Sequence, residues 1–448
     1  MKNKQTLYQL IPIFIFLVGI HFSFTQTFGY CQNSISESVP AEVENLQSTR
    51  FKLHGEYGLY VQEKQNQIKV HWMTAKEDSG FLKIFKNGNE LFGFKTASAR
   101  AHQAGFEINN YRALTLQYGS LFDLSDRHET VIYFNKVAQK TQSEFSRIDS
   151  IYVLGDIHGE FDTLTNLLKN ARVIDSNYNW IANQKHLIAL GDIFDRGHDV
   201  TRTLWFLYKL EKQANKQGGR VHVVLGNHEI MIFLNDLRYL SGKENLIANS
   251  HGVSYAEMYS PSHSLLGNWL SQKPAILKID KTLFAHGGVT PAYTALSIPA
   301  INDSLRVFLQ EDIFYTLLQD SIPASVDSLQ FNRRLAFFYA ENSLFWHRGY
   351  VLSDTLEKDL KIVLKKFKSK LHVVAHTPVP TIRELYNGKI VAVDLNIPAT
   401  EMLLLVRNGK NKVKRFRIRS DGLTEPLREY RYIEFNLCSI VKMSIKIH

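Results

Sequence analysis

Five apolar runs in this chain end directly in polar clusters, and no other feature restricts its fold so tightly. IYVL leads into GDIHG at 155–159 and HLIAL into GDIFDRG at 191–197. VHVVL leads into GNHE at 226–229, TLFA into HGG at 286–288 and LHVVA into HT at 376–377. Runs of four or five apolar residues have the length of short, doubly buried strands. The amphipathic stretches FDTLTNLLKN and TRTLWFLYKL separate the first three, and a sixth run, KIVAV, follows the last cluster. Strands alternating with helices build an α/β sheet, whose ligands bind beyond the carboxyl ends of the strands. The clusters are therefore expected to converge on one spot.

They would bring there Asp156, His158, Asp192, Asn227, His286 and His376, three nitrogen and three oxygen donors. Mixed imidazole and carboxylate ligation suits first-row metals such as Mn, Fe or Zn, whereas Ca or Mg would draw on oxygen almost alone. The number of donors suffices for two divalent or trivalent ions. A dinuclear site needs a carboxylate between the cations to offset their repulsion, and Asp192 is the expected bridge. Asp156 and His158 would turn toward one ion, and Asn227, His286 and His376 would hold the other. Glycines flanking these residues let the backbone approach closely or take positive φ.

In this order the motifs GDIHG, GDIFDRG, GNHE, AHGG and AHT resemble those of the calcineurin-like metallophosphoesterases over roughly residues 150–406. The DRG and GNHE endings are most similar to the phosphoprotein phosphatase branch, including the bacterial Shewanella-like phosphatases. The resemblance implies a four-layer α/β/β/α sandwich with two mixed sheets over 148–420. It implies that Asp156, His158 and Asp192 bind the first metal, and Asp192, Asn227, His286 and His376 the second. His228 would be the histidine beside the leaving group, Asp195 its partner carboxylate and Arg196 a phosphate clamp. Arg348, in LFWHRGY, is expected as a second clamp from its place between the last two histidine motifs. The planar fork of arginine pairs two phosphate oxygens at once.

There are departures from the wider pattern. Many metallophosphoesterases end in GHTH, where this chain has AHTP, with Ala375 and Pro378 in place of glycine and the second histidine. GDIFDRG also lacks the tyrosine ligand of purple acid phosphatases. The implied function is dinuclear metal-dependent hydrolysis of phosphate monoesters by a metal-bridging hydroxide, in the manner of a protein Ser/Thr or Tyr phosphatase. Phosphorylated peptides or small phosphomonoesters would be the partners. Two other readings remain open: a diadenosine-polyphosphate, nucleotide or small-molecule phosphoesterase, and a catalytically silent exported binding protein.

The remainder of the chain is less specific. GEYGLYVQ, QIKVHWMT, GFLKIFKNG, NELFGFKT, AGFEI, YRALTLQYG and TVIYFNKV are seven alternating runs that predict a small all-β sandwich over 51–138, with Trp72 plugging its core. Its place resembles that of the fibronectin III-like module in front of purple acid phosphatases. AQKTQSEFSR at 138–147 has linker composition. Lys2 and Lys4 precede IPIFIFLVGI, so residues 1–31 read as a secretory signal or uncleaved anchor, followed by a linker at 32–50. Export to a periplasmic or extracellular location follows, with membrane contact only through such an anchor. The two cysteines, Cys31 and Cys438, provide no disulfide framework.

A composition of 44% hydrophobic and 21% charged residues excludes wholesale disorder. The net charge of +10 is concentrated near Arg407, Lys410, Lys412, Lys414, Arg415, Arg417 and Arg419. Phe416 and Ile418 alternate with those arginines, the pattern of a strand with one wet face, so no nucleic-acid partner is expected. Residues 421–448 form the expected tail.

Overall fold

A computed structural model of the chain describes residues 55–64, 66–108, 111–134, 142–310, 333, 335–337, 339–409 and 413–427. The signal or anchor at 1–31, the linker at 32–50, both cysteines and residues 428–448 lie outside the described residues. No described helix is long and apolar enough to cross a membrane.

The front of the chain is an antiparallel sheet of β1 (Tyr60–Lys64), β2 (Gln67–Lys86), β3 (Asn89–Glu107), β4 (Ala113–Ser120) and β5 (Arg127–Tyr133). The seven expected strands are thus five. QIKVHWMT and GFLKIFKNG both fall in β2, and NELFGFKT and AGFEI both fall in β3. The polar stretch between the first two reads as a turn. Register shifts between Met73 and Asp78 and between Ser79 and Phe81 take up the extra residues as bulges, so the strand bends and continues. The chain reverses instead at Asn87-Gly88, where φ is +50° and +85°. Trp72 is buried, stacks on His102 at 5.3 Å and donates its indole N–H to the Gly119 carbonyl at 3.3 Å.

Two six-stranded mixed sheets follow. The strands are β6 (Glu144–Phe145), β7 (Ser150–Leu154), β8 (His186–Ala189), β9 (Arg220–Val223), β10 (Leu277–Ile279) and β11 (Thr282–Phe284). They continue with β12 (Leu371–Val374), β13 (Arg383–Leu385), β14 (Ile390–Ala392), β15 (Glu401–Arg407), β16 (Val413–Arg419) and β17 (Thr424–Pro426). One sheet runs β13-β14-β12-β11-β10-β6 and the other β17-β16-β15-β7-β8-β9. Glu144 and Phe145, inside the stretch read as a linker, thus form an edge strand, and Thr424–Pro426 of the expected tail forms another.

The sheets face each other across a core that includes Ile151, Val153, Ile188 and Leu403 from one and Phe284, Leu371, Val373 and Val391 from the other. Alternation along the strands turns Val374, Ile390 and Ala392 to the opposite face, against Leu360 and Leu364 of the helix Glu357–Lys366. That helix has Glu357 and Asp359 in its first turn and Lys365 and Lys366 in its last, matching its dipole. The helices Phe161–Asn170 and Val200–Lys216 pack together, and the second also lies on β9, which completes the four layers. The basic C-terminal run is β16, a strand as expected. Arg415 pairs with Glu384, and Arg417 with Glu425.

Candidate active site

The loops after β7, β8, β9, β11 and β12 meet at the strand ends: β7, β8 and β9 run parallel in one sheet, and β11 and β12 run parallel in the other. The turns there are tight. His158, Asp192, Asp195, Arg196 and His376 all have φ between +46° and +68°, a region that side chains seldom occupy. Such strain persists only where the surroundings hold it, and it collects at functional sites. Two glycines make the close approach possible. A Cβ on Gly197 would sit 1.9 Å from the His158 carbonyl, and one on Gly226 would sit 2.3 Å from the Asp192 carboxylate.

Asp192 lies at the centre. One carboxylate oxygen is 3.2 Å from His286 Nε2 and accepts the His228 backbone N–H at 3.0 Å. The other is 3.9 Å from His158 Nε2 and 3.8 Å from His228 Nε2. The Asn227 amide oxygen is 3.0 Å from His286 Nε2. Asp156 accepts the His376 backbone N–H at 3.2 Å and lies 3.9 Å from His158 Nε2. Asp156, His158, Asp192, Asn227, His286 and His376 are all buried. Ligand atoms of His158, Asp192 and His228 lie within 4.8 Å of one another, as do those of Asp192, His286 and His376.

This donor set suits cations. His158 and His286 each direct Nδ1 at a backbone carbonyl, of Phe194 and Leu190 respectively, both at 2.7 Å. Those bonds fix the tautomer and leave the Nε2 lone pair facing inward. Nε2 of His158 and of His376 is buried without a hydrogen-bond partner among the described residues. Burial holds the His158 imidazole down at about 4, and burial with His286 nearby holds His376 at about 2, so both present neutral nitrogen. The carboxylates are crowded: burial, then Asp192 and Asp394, push Asp156 well above its ordinary value. Burial opposes a proton on His286, yet Asp192 and Asp156 overcome it and lift the group to about 10. Without another cation, that proton is what balances the buried negative charge.

Beside the cluster, His228 Nδ1 meets Asp195 Oδ2 at 2.6 Å, and both are buried. Burial lowers the affinity of this imidazole for a proton, but Asp192 and Asp195 outweigh it and hold the group above its usual value. Arg196 is exposed, with Nη2 3.5 Å from His228 Nε2. Arg348, also exposed, donates to the His376 carbonyl at 2.7 Å and so reaches the same strand ends. The structure therefore brings all ten candidate residues together. His228 belongs by distance to one of the two donor clusters, although the sequence reading keeps it apart from the metal ligands.

Two carboxylates were missed. Glu229 is wholly buried and accepts backbone N–H groups from Gly226 at 2.6 Å, Ile193 at 2.7 Å and Asp192 at 2.9 Å. It ties the second and third loops together, and its signal was the E of GNHE. Asp394 is buried, and its negative charge helps to push Asp156 up. It directly follows the sixth run, KIVAV, and so ends a strand in the same way as the five clusters.

Comparisons with known proteins agree with this arrangement. Shewanella-like protein phosphatase 1 of Plasmodium berghei is 28% identical over 247 residues, 52% of this chain and 62% of that protein. A symmetrical bis(5'-nucleosyl)-tetraphosphatase of Janthinobacterium is 30% identical over 170 residues, 38% of this chain and 54% of that one. The chain thus matches less than two thirds of the length of either relative. The crystal structure of a cold-active protein-tyrosine phosphatase from a psychrophilic Shewanella superimposes with a TM-score of 0.64 at 28% identity. It covers 83% of this chain and 99% of its own. The sequence model of the calcineurin-like phosphoesterases matches residues 150–389, more than half of the chain and every one of the ten site residues, and the chain belongs to that family.

Proposed function

We propose that this chain is a metal-dependent phosphatase that hydrolyses phosphate monoesters. The observation that carries the reading is the shared Asp192, common to two buried donor clusters, with the His228–Asp195 pair beside them. Asp156, His158 and Asp192 would hold one cation, and Asp192, Asn227, His286 and His376 the other. Bound there, two cations would supply a nucleophile at neutral pH and neutralise charge on the phosphoryl oxygens.

The residues of the chain do the rest. Arg196 and Arg348 clamp the phosphate and oppose its growing negative charge. As water oxygen bonds to phosphorus, the bond to the ester oxygen breaks. His228 Nε2 gives its proton to that departing oxygen, while Asp195 holds Nδ1 and stabilises the imidazole in its charged form. No covalent bond to the enzyme is needed.

Phosphopeptides are the proposed substrate class, supported by the names of the Plasmodium and Shewanella proteins. The Janthinobacterium relative supports a second reading, a dinucleotide polyphosphate, on the same machinery. Export through the N-terminal segment is proposed as well, from Lys2, Lys4 and the apolar run that follows them. One experiment tests the central reading. The wild type and Asp192→Asn, each loaded with manganese, are measured for bound metal and for turnover of phosphotyrosine and phosphoserine peptides and diadenosine tetraphosphate. Wild type should bind two ions and turn over a phosphopeptide fastest, and the variant should lose both ions. A variant that keeps two ions refutes the bridge, and a fully loaded wild type inactive on every phosphate ester refutes the enzyme.

A further inference from the structure

The segments at 230–275 and 290–345 are rich in aromatic residues, and several of the described ones are core. Tyr255, Tyr259, Trp269 and Tyr293 are buried. Tyr239 is different. It is 47% exposed, and its ring centroid lies 5.4 Å from that of His228 at an angle of 49°. The Arg196 guanidinium is 6.0 Å from the same ring, and the Tyr239 carbonyl accepts the Arg196 backbone N–H at 3.0 Å. Arg238, fastened to Asp236 by two bonds at 2.7 and 2.8 Å, lies 5.8 Å from the ring. Trp346 meets His376 edge-on at 5.8 Å, but it also stacks on Tyr339 at 5.9 Å.

We propose that Tyr239 selects the leaving group, offering its half-exposed ring as a stacking platform for an aryl group on the ester oxygen that His228 protonates. The inference rests on the phosphatase reading and deepens it. Adjacency is the reason. A group that gives its proton to the leaving oxygen must lie next to whatever that oxygen carries, and the apolar surface at hand beside His228 and Arg196 is this ring. Ring pairs prefer tilted or offset contact, for which a half-exposed ring leaves a face open. An aryl phosphate would cover the ring, whereas the short alkyl chain of phosphoserine would leave most of it wet. Tyr239 does not act on the phosphorus. It is a positioning and specificity residue.

The test uses the full chain loaded with manganese, with binding read by calorimetry as well as turnover. Phenylphosphonate and methylphosphonate share the phosphoryl head and differ only in the group that would meet the ring. Wild type should bind the phenyl compound roughly threefold to tenfold more tightly, the range expected of one aromatic pair. Tyr239→Ala should abolish that preference while leaving methylphosphonate affinity within about twofold, and Tyr239→Phe should keep it. In turnover, Tyr239→Ala should raise KM for a phosphotyrosine peptide and leave KM for the phosphoserine peptide nearly unchanged. Equal losses on both substrates, or a phenyl preference that survives Tyr239→Ala, overturn the proposal. A wild type that prefers phenylphosphonate yet hydrolyses no phosphomonoester leaves the platform standing and defeats the phosphatase reading instead.

Discussion

At His228 two demands compete, and they make different predictions. Its Nε2 lies 3.8 Å from Asp192, close enough to share a cation, but its Nδ1 is committed to Asp195 at 2.6 Å and Arg196 stands 3.5 Å from Nε2. A guanidinium next to a nitrogen ligand would repel the cation that the nitrogen is meant to hold. The acid role is therefore favoured, and His228→Ala should cut turnover by ~10²–10⁴-fold with metal content nearly intact. Parallel loss of metal and activity, followed by metal analysis of the purified variant, would reassign His228 as a ligand. The six metal-ligand candidates were legible because each sits within a few positions of an apolar run, whereas His228, Asp195, Arg196 and Arg348 were read from the family resemblance and the order of the motifs. Glu229 and Asp394 were equally close in sequence. Glu229 was passed over because its partners are backbone N–H groups, one on its own loop and two on the preceding one, and backbone donors leave no mark in a sequence.

Elements show where such local reading ends. The short strands of the two sheets were visible because four or five apolar residues between polar ones have few other uses. The long β2–β3 hairpin was not, because a bulge and a turn are written with the same polar residues. Capping of the helix Val200–Lys216 is another case. Asp199 stands at its N-cap without a side-chain cap bond, its carboxylate being engaged by Lys243. The cap comes instead from Glu244 of the helix Gly242–Ser250, which accepts the Thr201 N–H at 3.1 Å and hydroxyl at 2.5 Å. Burial pushes this carboxyl from 4.5 to about 7, against the lowering effect of Thr201. Between those values the folded chain keeps a proton that the unfolded chain has lost, so stability falls as pH rises through the window, by up to about 1.4 kcal/mol per unit. Glu244→Gln imitates the protonated form and should lose that slope. Denaturant titrations at pH 5 and pH 8 should show wild type losing ground to the variant at the higher pH, and parallel behaviour would mean that Glu244 carries no such proton.

For the whole molecule, the front sheet is part of the same folded body as the strands that carry the site. Trp205 donates to the Leu59 carbonyl at 2.9 Å, Tyr208 accepts the Tyr133 N–H at 2.8 Å, and Glu63 donates to the His263 carbonyl at 2.9 Å. The sequence divided these regions by composition, and composition says nothing of how much surface two regions share. Two histidines are buried at this joint. The His251 ring lies 5.6 Å from that of His71, and Tyr60 lies against both. His251 Nε2 donates to the Gly58 carbonyl at 2.9 Å, while its Nδ1 is buried without a partner among the described residues. His71 Nε2 is 3.3 Å from the Gln62 side-chain oxygen, and Lys69 adds positive charge nearby. Burial holds His71 at about 3 and His251 at about 4. Unfolded, both would titrate near 6.5, so below that pH the unfolded chain binds more protons and stability falls until the folded values are reached. This slope opposes that of Glu244, so each must be read against its own variant and not from wild type alone. His71→Phe with His251→Gln, which keeps a donor for Gly58, should resist acid. Between pH 7 and pH 5 its unfolding midpoint in urea should fall less than that of wild type, and an unchanged fall would show that acid enters the molecule elsewhere.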